Sequence, residues 1–461
     1  MVGEGTHQAR CVKRPTPGEA TIRRRGSARG PRSARATECD PVRGSRADTD
    51  PVPVRSTRPF HVLIKPFGAR CNIECAYCFY TPKLGLYPRE VGARMSDEVL
   101  ERFVSSYIEA QPFGAEEVEF AWQGGEPTLA GLDFFKRAVA LQRAHARPGL
   151  TVRNSLQTNG TLLDDEWCEF LREERFLVGL SLDGPADLHD AQRVDHSGAG
   201  TFERVMSALR RLQRRRVEFN VLTVVHRLNA AEPERVYDFL VGTGARHLQF
   251  IPLVELDGQQ RVSERSVAAP AYGQFLSRVF DLWLAREHVG RVFVRDFDSA
   301  LASTLGVPGS TCVAAETCGR CVALERDGDV FACDHFVDWA HHLGNLRQRD
   351  LAAMLDQGPG PEFGASKADL PAECERCPHL RLCRGGCPKD RVAGRNVLCE
   401  GYAAWFAHAK PVLERMARCL RAQRPASDWR HIDAPPHAAA LERNAACPCG
   451  SGRKWKRCCG A

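Results

Sequence analysis

No run in the 461-residue chain approaches the ~18 consecutive apolar residues of a membrane span, although 43% of its residues are hydrophobic. This excludes a helical membrane protein and predicts a soluble one with ample material for a packed core. A signal-peptide region is missing too: Arg23-Arg24-Arg25 is followed by no apolar segment and is not read as an export signal. Acidic residues are absent from 443–461, which holds five basic ones, and apolar periodicity is absent from 1–57. Residues 1–57 are rich in Arg, Pro, Gly, Ser and Thr and predict a disordered basic tail, with incidental thiols at Cys11 and Cys39. Residues 1–58 carry 13 Lys/Arg against 6 Asp/Glu, which matches the formal charge of +7 for the whole chain. The centre is therefore net acidic, and nucleic acid is not an expected partner.

Cysteine is present in excess. Twenty thiols in a chain too long for a small disulfide scaffold, and without an export signal, read as metal ligands in a reducing cytoplasm. Cys71-Asn72-Ile73-Glu74-Cys75-Ala76-Tyr77-Cys78 is a C-x3-C-x2-C motif set just after a strand-like run. Three thiolates at this spacing can hold an iron cluster and leave one iron open. Alone, the spacing also suits half of a zinc site or three unrelated buried thiols.

From Pro59 onward strand-like and helix-like segments alternate, as in βαβ units with a parallel sheet. Strands are expected at 60–66, 118–122, 151–157, 176–182, 219–225 and 247–251. Helices are expected at 96–110, with Ser96 as N-cap, and at 132–145, 164–173, 201–215 and 232–242. Six βα units predict an α/β fold with an open partial barrel. Active-site residues of such sheets gather at the C-terminal ends of the strands. Gly124-Gly125-Glu126-Pro127, Gln157-Thr158-Asn159-Gly160 and Ser181-Leu182-Asp183-Gly184-Pro185 all fall there. Each suits an ordinary turn; together they suggest one pocket facing the cysteine loop.

Helix-like segments follow near 271–287 and 296–305, and the cysteines then return. Eight of them read as C-x5-C-x14-C and, after a gap, C-x2-C-x5-C-x3-C-x11-C: Cys312, Cys318 and Cys333, then Cys374, Cys377, Cys383, Cys387 and Cys399. Eight thiolates suffice for two 4Fe-4S clusters, while Cys374-x2-Cys377 also suits half a zinc ribbon. Cys321 is left over and reads as a buried structural thiol or a substitute for Cys318. Cys168 and Cys419 lie in helical contexts and read as core or surface thiols.

The cysteine loop with its aromatic Tyr77 resembles the radical S-adenosylmethionine (SAM) enzymes. The second array, with Gly328-Asp329-Val330-Phe331-Ala332-Cys333-Asp334-His335-Phe336-Val337 and Leu343-Gly344-Asn345-Leu346, resembles the SPASM domain of anaerobic sulfatase-maturating enzymes over roughly 59–410. That resemblance implies three 4Fe-4S clusters, the first on Cys71, Cys75 and Cys78 with SAM on its open iron. It divides the second array into Cys312, Cys318, Cys333 and Cys387 for one cluster and Cys374, Cys377, Cys383 and Cys399 for the other. It also implies that Gly124, Gly125 and Glu126 meet the SAM amino group through their backbone. Ser181 and Arg193 would be polar SAM contacts, Leu253 would pack on the adenine, and Tyr77 would belong to the same site.

The implied reaction is oxidation of a sulfatase Cys or Ser, within Cys/Ser-x-Pro-x-Arg, to Cα-formylglycine. A 5′-deoxyadenosyl radical takes hydrogen from Cβ, Asp334 accepts a proton, and the auxiliary clusters accept an electron. An electron donor such as flavodoxin or ferredoxin is implied as a further partner.

The last residues, Cys447-Pro448-Cys449 and Cys458-Cys459 with Arg453, Lys454, Lys456 and Arg457 between, resemble the SEC-C module. They imply a structural zinc on Cys447, Cys449, Cys458 and Cys459. The expected organisation is a tail at 1–57, a partial (β/α)6 barrel at 58–306, a SPASM domain at 307–410, a helix and linker at 411–442 and a zinc module at 443–461. Two other readings use the same residues: a SPASM enzyme that modifies a ribosomally made peptide, and a cysteine-rich zinc protein acting as a binding module.

Overall fold

A computed structural model describes residues 54–87, 94–307, 311–433, 444–447 and 451–458. The expected tail up to residue 53, the linker at 434–442, and the thiols of Cys11, Cys39, Cys449 and Cys459 lie outside the described residues. The barrel strands are β1 (His61–Lys65), β2 (Glu117–Trp122), β3 (Thr151–Thr158), β4 (Leu177–Ser181), β5 (Phe219–Val225) and β6 (His247–Pro252). Each pairs in parallel with the next. Between them run α1 (Asp97–Ala110), α2 (Leu132–Ala144), α3 (Asp165–Glu173), α4 (Phe202–Arg215) and α5 (Pro233–Gly242). The six expected βα units are therefore present, with ends shifted by one or two residues.

Local chemistry explains the boundaries. Ser96 accepts the Val99 N–H and Asp97 and Glu98 fill the first turn of α1, so an N-cap and two acids complement the helix dipole. Its Phe103 and Tyr107 are fully buried, and the Tyr107 hydroxyl donates to the Glu119 carbonyl at 2.9 Å, fastening α1 to β2. Asp164 caps α3 in the same way through the Trp167 N–H.

The segment after the barrel does not form a separate layer. Following α6 (Ala269–Ala285) and α7 (Arg295–Leu305), β7 (Cys321–Glu325) pairs in parallel with β1, His61 to Cys321 through Lys65 to Glu325. Antiparallel β8 (Asp329–Phe331) and β9 (His342–Asn345) extend the same sheet. Its full order is β9-β8-β7-β1-β2-β3-β4-β5-β6, with Phe293–Val294 on the far edge. The start of the barrel is also fixed before residue 58: the Ser56 N–H donates to the Ala110 carbonyl at 2.8 Å and its hydroxyl reaches Asp356 at 3.1 Å.

The expected boundary at 410/411 falls inside one helix. α8 runs Cys399–Arg421 straight through Pro411, a residue that sequence patterning places at a helix start. Burial overrides that signal. Trp405, Phe406, Ala409, Leu413 and Met416 face the core, and a Cβ on Gly273 of α6 would lie 2.5 Å from the Gly401 carbonyl, so the two helices touch at their glycines. Among the described residues no helix is long and apolar enough to cross a membrane.

Candidate functional site

The cysteine loop leaves β1 and lies across the C-terminal ends of the barrel strands. Ile73–Cys75 pairs antiparallel with Arg193–Asp195, placing Cys75 opposite Arg193. The end of β2 docks on the approach to the first thiol. The Gly125 N–H donates to the Gly68 carbonyl at 2.9 Å, and the Glu126 N–H to the Arg70 carbonyl at 2.8 Å. A Cβ on Gly125 would lie 1.9 Å from the Arg70 carbonyl, and Gly124 sits at φ +130, so both glycines are demanded by contacts within the chain itself.

Glu126 is fully buried, and its carboxylate is used internally. It accepts the Thr128 N–H at 3.0 Å, the Thr158 hydroxyl at 2.8 Å and the Asn159 N–H at 2.9 Å, tying the loop after β2 to the loop after β3. Asn159 then reaches Cys71 Sγ at 3.7 Å through its Nδ2.

Cys71, Cys75 and Cys78 open onto one cavity of about 200 Å³, whose walls include Tyr77, Gly124, Gly125, Ser181, Arg193 and Leu253, with His335 and Lys389 opposite. Burial pushes the Cys71 thiol up to about 11 and the Cys75 thiol up to about 12, the latter against the pull of Arg193. Loading a metal group here must therefore release protons. Arg193 does not extend freely into the cavity: its Nε donates to Asp183 Oδ2 at 2.9 Å and its Nη2 to Oδ1 at 3.3 Å. Tyr77 donates its hydroxyl to Asp183 as well, and the Val224 N–H completes the carboxylate's shell at 3.0 Å. Burial opposes the Asp183 charge, but Arg193 outweighs it and holds the carboxyl below its usual range.

Asp334 stands on the turn after β8, ion-paired with the buried Lys65 at the end of β1. Its neighbour His335 lines the cavity, and burial pushes that imidazole down to about 4, so it is neutral at pH 7.

The auxiliary thiols gather in two sets. Cys333 feels Cys387 and Cys312, Cys387 feels Cys312, and so does Cys318. Cys383 and Cys374 each feel Cys377 and Cys399. Cys321, on β7, is pushed by burial up to about 12 and also feels Cys312. Among the described residues no group of three or more His, Cys, Asp or Glu closes on a single ion. Thiolates that each bind a different iron of a cluster stand farther apart than four ligands of one zinc.

Comparison with known proteins agrees with this geometry. Family models match the radical SAM superfamily at 66–240, an iron-sulfur cluster-binding domain at 312–378 and the SEC-C motif at 443–461. The serine-type anaerobic sulfatase-maturating enzyme of Bacteroides thetaiotaomicron is 39% identical over 389 residues, covering 79% of this chain and 93% of its own. The cysteine-type enzyme of Clostridium perfringens is 36% identical over 374 residues, covering 79% of this chain and 100% of its own. The chain belongs to the anaerobic sulfatase-maturating enzymes. The solved structure of native anSMEcpe with bound AdoMet and Kp18Cys peptide matches at 37% identity with TM-score 0.71, over 78% of this chain and 99% of that one. Streptococcus suis SuiB, bound to precursor peptide SuiA, matches at 16% identity with TM-score 0.53 over 74% of this chain and 76% of that one, a likeness of fold alone.

For a member of this family, sequence reasoning named the thiols, Arg193 and Asp334 but gave no role to Asp183, Lys65, Asn159, His335 or Lys389. Asp183 carried a signal, since it lies in the same post-strand segment as Ser181. Lys65 carried one too, as a charged residue ending an otherwise apolar strand-like run. The partner of each becomes visible only when distant segments meet.

Proposed function

We propose that the chain converts a Cys or Ser within Cys/Ser-x-Pro-x-Arg of a sulfatase polypeptide to Cα-formylglycine. The observation that carries this reading is the cavity shared by the Cys71, Cys75 and Cys78 thiols and by the turn that bears Asp334. In this reading Cys71, Cys75 and Cys78 hold the first 4Fe-4S cluster, with SAM on its open iron. Cys312, Cys318, Cys333 and Cys387 hold one auxiliary cluster, and Cys374, Cys377, Cys383 and Cys399 the other. These groups supply a hydrogen-abstracting radical at the cavity and a sink for the electron the substrate loses. Cys447, Cys449, Cys458 and Cys459 hold a structural zinc.

The protein's own residues bind, orient and take the proton. Gly124 and Gly125 bring main chain to the cavity wall without a Cβ. Glu126 contributes through its backbone while its carboxylate secures the neighbouring loop. Ser181 and Arg193 offer polar contacts to SAM, with Tyr77 and Asp183 setting the guanidinium's plane, and Leu253 offers an apolar surface for adenine. Asp334 accepts the proton of the substrate thiol or hydroxyl. A flavodoxin- or ferredoxin-type donor supplies electrons, and the work is done in the cytoplasm, where free thiols persist.

The test is anaerobic reconstitution followed by incubation with SAM, reductant and a Cys-x-Pro-x-Arg peptide or its Ser counterpart. Iron near three clusters per chain and the mass change of formylglycine are expected. Asp334→Asn should keep SAM cleavage and lose the aldehyde. SAM cleavage with an unchanged mass for both peptides would replace this reading with modification of another peptide, and zinc without iron would leave only a binding module.

A further inference from the structure

Behind Asp334 lies a buried charged assembly that the reaction outlined above does not use. Lys65 ends β1 with 1% exposure, and its ammonium is ion-paired with Asp334 Oδ1. The same ammonium lies 4.5 Å from the centroid of the Tyr80 ring. Tyr80 donates its hydroxyl to Glu325 Oε1, and Glu325 is the register partner of Lys65 across β1 and β7. Glu325 is itself 1% exposed, and its Oε2 has no hydrogen-bond partner among the described residues. Burial pushes the Glu325 carboxyl up, against the Tyr80 hydrogen bond and Lys65.

An ammonium at this depth is costly unless it is paired, and a side chain needed only for filling would be apolar. Three segments meet on it: the strand that opens the barrel, the end of the cysteine loop through Tyr80, and the Cys333-Asp334 turn. We propose that Lys65 is the positioning residue of the reaction. It fixes the Asp334 carboxylate relative to the Cys71–Cys78 loop, and Tyr80 and Glu325 fix Lys65.

The chemistry sets a tight tolerance. The substrate loses a hydrogen atom from Cβ and a proton from the adjacent Sγ or Oγ. One further electron then leaves to an auxiliary cluster, and the C=S or C=O bond forms. Because the two losses occur at neighbouring atoms, the hydrogen acceptor and the base must keep a fixed spacing, to within about 0.5 Å for productive geometry. Lys65 on Oδ1 leaves Oδ2 of Asp334 for the substrate proton. A base free to swing would let hydrogen abstraction proceed and the oxidation fail to follow.

This inference rests on the proposed function, and its experiment separates the two. Reconstituted holoenzyme carrying Lys65→Met is assayed with the Cys-x-Pro-x-Arg peptide for formylglycine and 5′-deoxyadenosine together. Formylglycine kcat is expected to fall about a hundredfold while peptide KM stays within about twofold, and the ratio of formylglycine to 5′-deoxyadenosine to fall at least about tenfold. A ratio equal to wild type, even at a lower overall rate, overturns the inference, because a merely structural lysine would slow both products alike. If Lys65→Met does not fold, Tyr80→Phe decides: it keeps the ring under the ammonium and removes the link to Glu325. Its ratio should fall about threefold, and an unchanged ratio overturns the inference. Wild-type holoenzyme that releases 5′-deoxyadenosine without formylglycine removes the proposed function itself.

Discussion

Gly125 shows how little freedom single residues have around the cysteine loop. Its missing Cβ would occupy the space of the Arg70 carbonyl, one residue before Cys71. Gly125→Ala should displace that loop, cost about one third of the iron bound at reconstitution, and lower formylglycine formation by about two orders of magnitude. Iron assay and peptide turnover on the same preparation check both effects. Asp296 offers a test of a different kind. It is fully buried in α7, and burial pushes its carboxyl from 3.8 up to about 6 against the N–H groups of Phe250 and Asp296. A raised carboxyl means that the folded protein holds the proton more tightly than the unfolded chain, so stability falls as pH rises from about 4 through about 6 and stays reduced above it. Asp296→Asn removes that dependence. The stability gained on substitution should be larger at pH 8 than at pH 5 by about 1 kcal/mol, measured by denaturant melts. Legibility also has a residue scale. The types and spacing of the thiols were readable because cluster ligation uses local runs. The pairing of Arg193 with Asp183 was not, because it depends on two segments meeting at a buried point.

At the scale of elements, alternation made the barrel legible: α1 through α5 and β1 through β6 lie within a residue or two of their expected places. The weak points were the short pieces. β8 has three residues, too few for a period to register, and β7 carries a cysteine where a strand would ordinarily start. α8 was misjudged because Pro411 reads locally as a beginning, whereas the apolar faces of α6 and α8 decide the matter over more than five turns. A proline in a helix interior costs about 3 kcal/mol, so Pro411→Ala should raise stability by about 1–3 kcal/mol and leave turnover unchanged, as a thermal melt and a peptide assay will show.

For the whole molecule, the described thiols of the C-terminal module, Cys447 and Cys458, line no part of the catalytic cavity. Removing residues 434–461 should therefore leave formylglycine formation within about twofold of the full chain, and abolish one equivalent of bound zinc. Metal analysis beside the peptide assay tests both halves.

The pairing of β7 with β1 has a further consequence, for synthesis rather than catalysis. β1 is among the first strands to leave the ribosome, and one of its two edges is covered only when residues 321–325 arrive. At ordinary elongation speeds of about 5–20 residues per second, that interval is on the order of ten seconds or more. During that time a short, apolar strand presents unpaired backbone groups to every neighbouring chain. A product truncated before β7 would keep that edge open permanently and tend to self-associate. The segment that carries the auxiliary thiols thus also closes the sheet against its own kind.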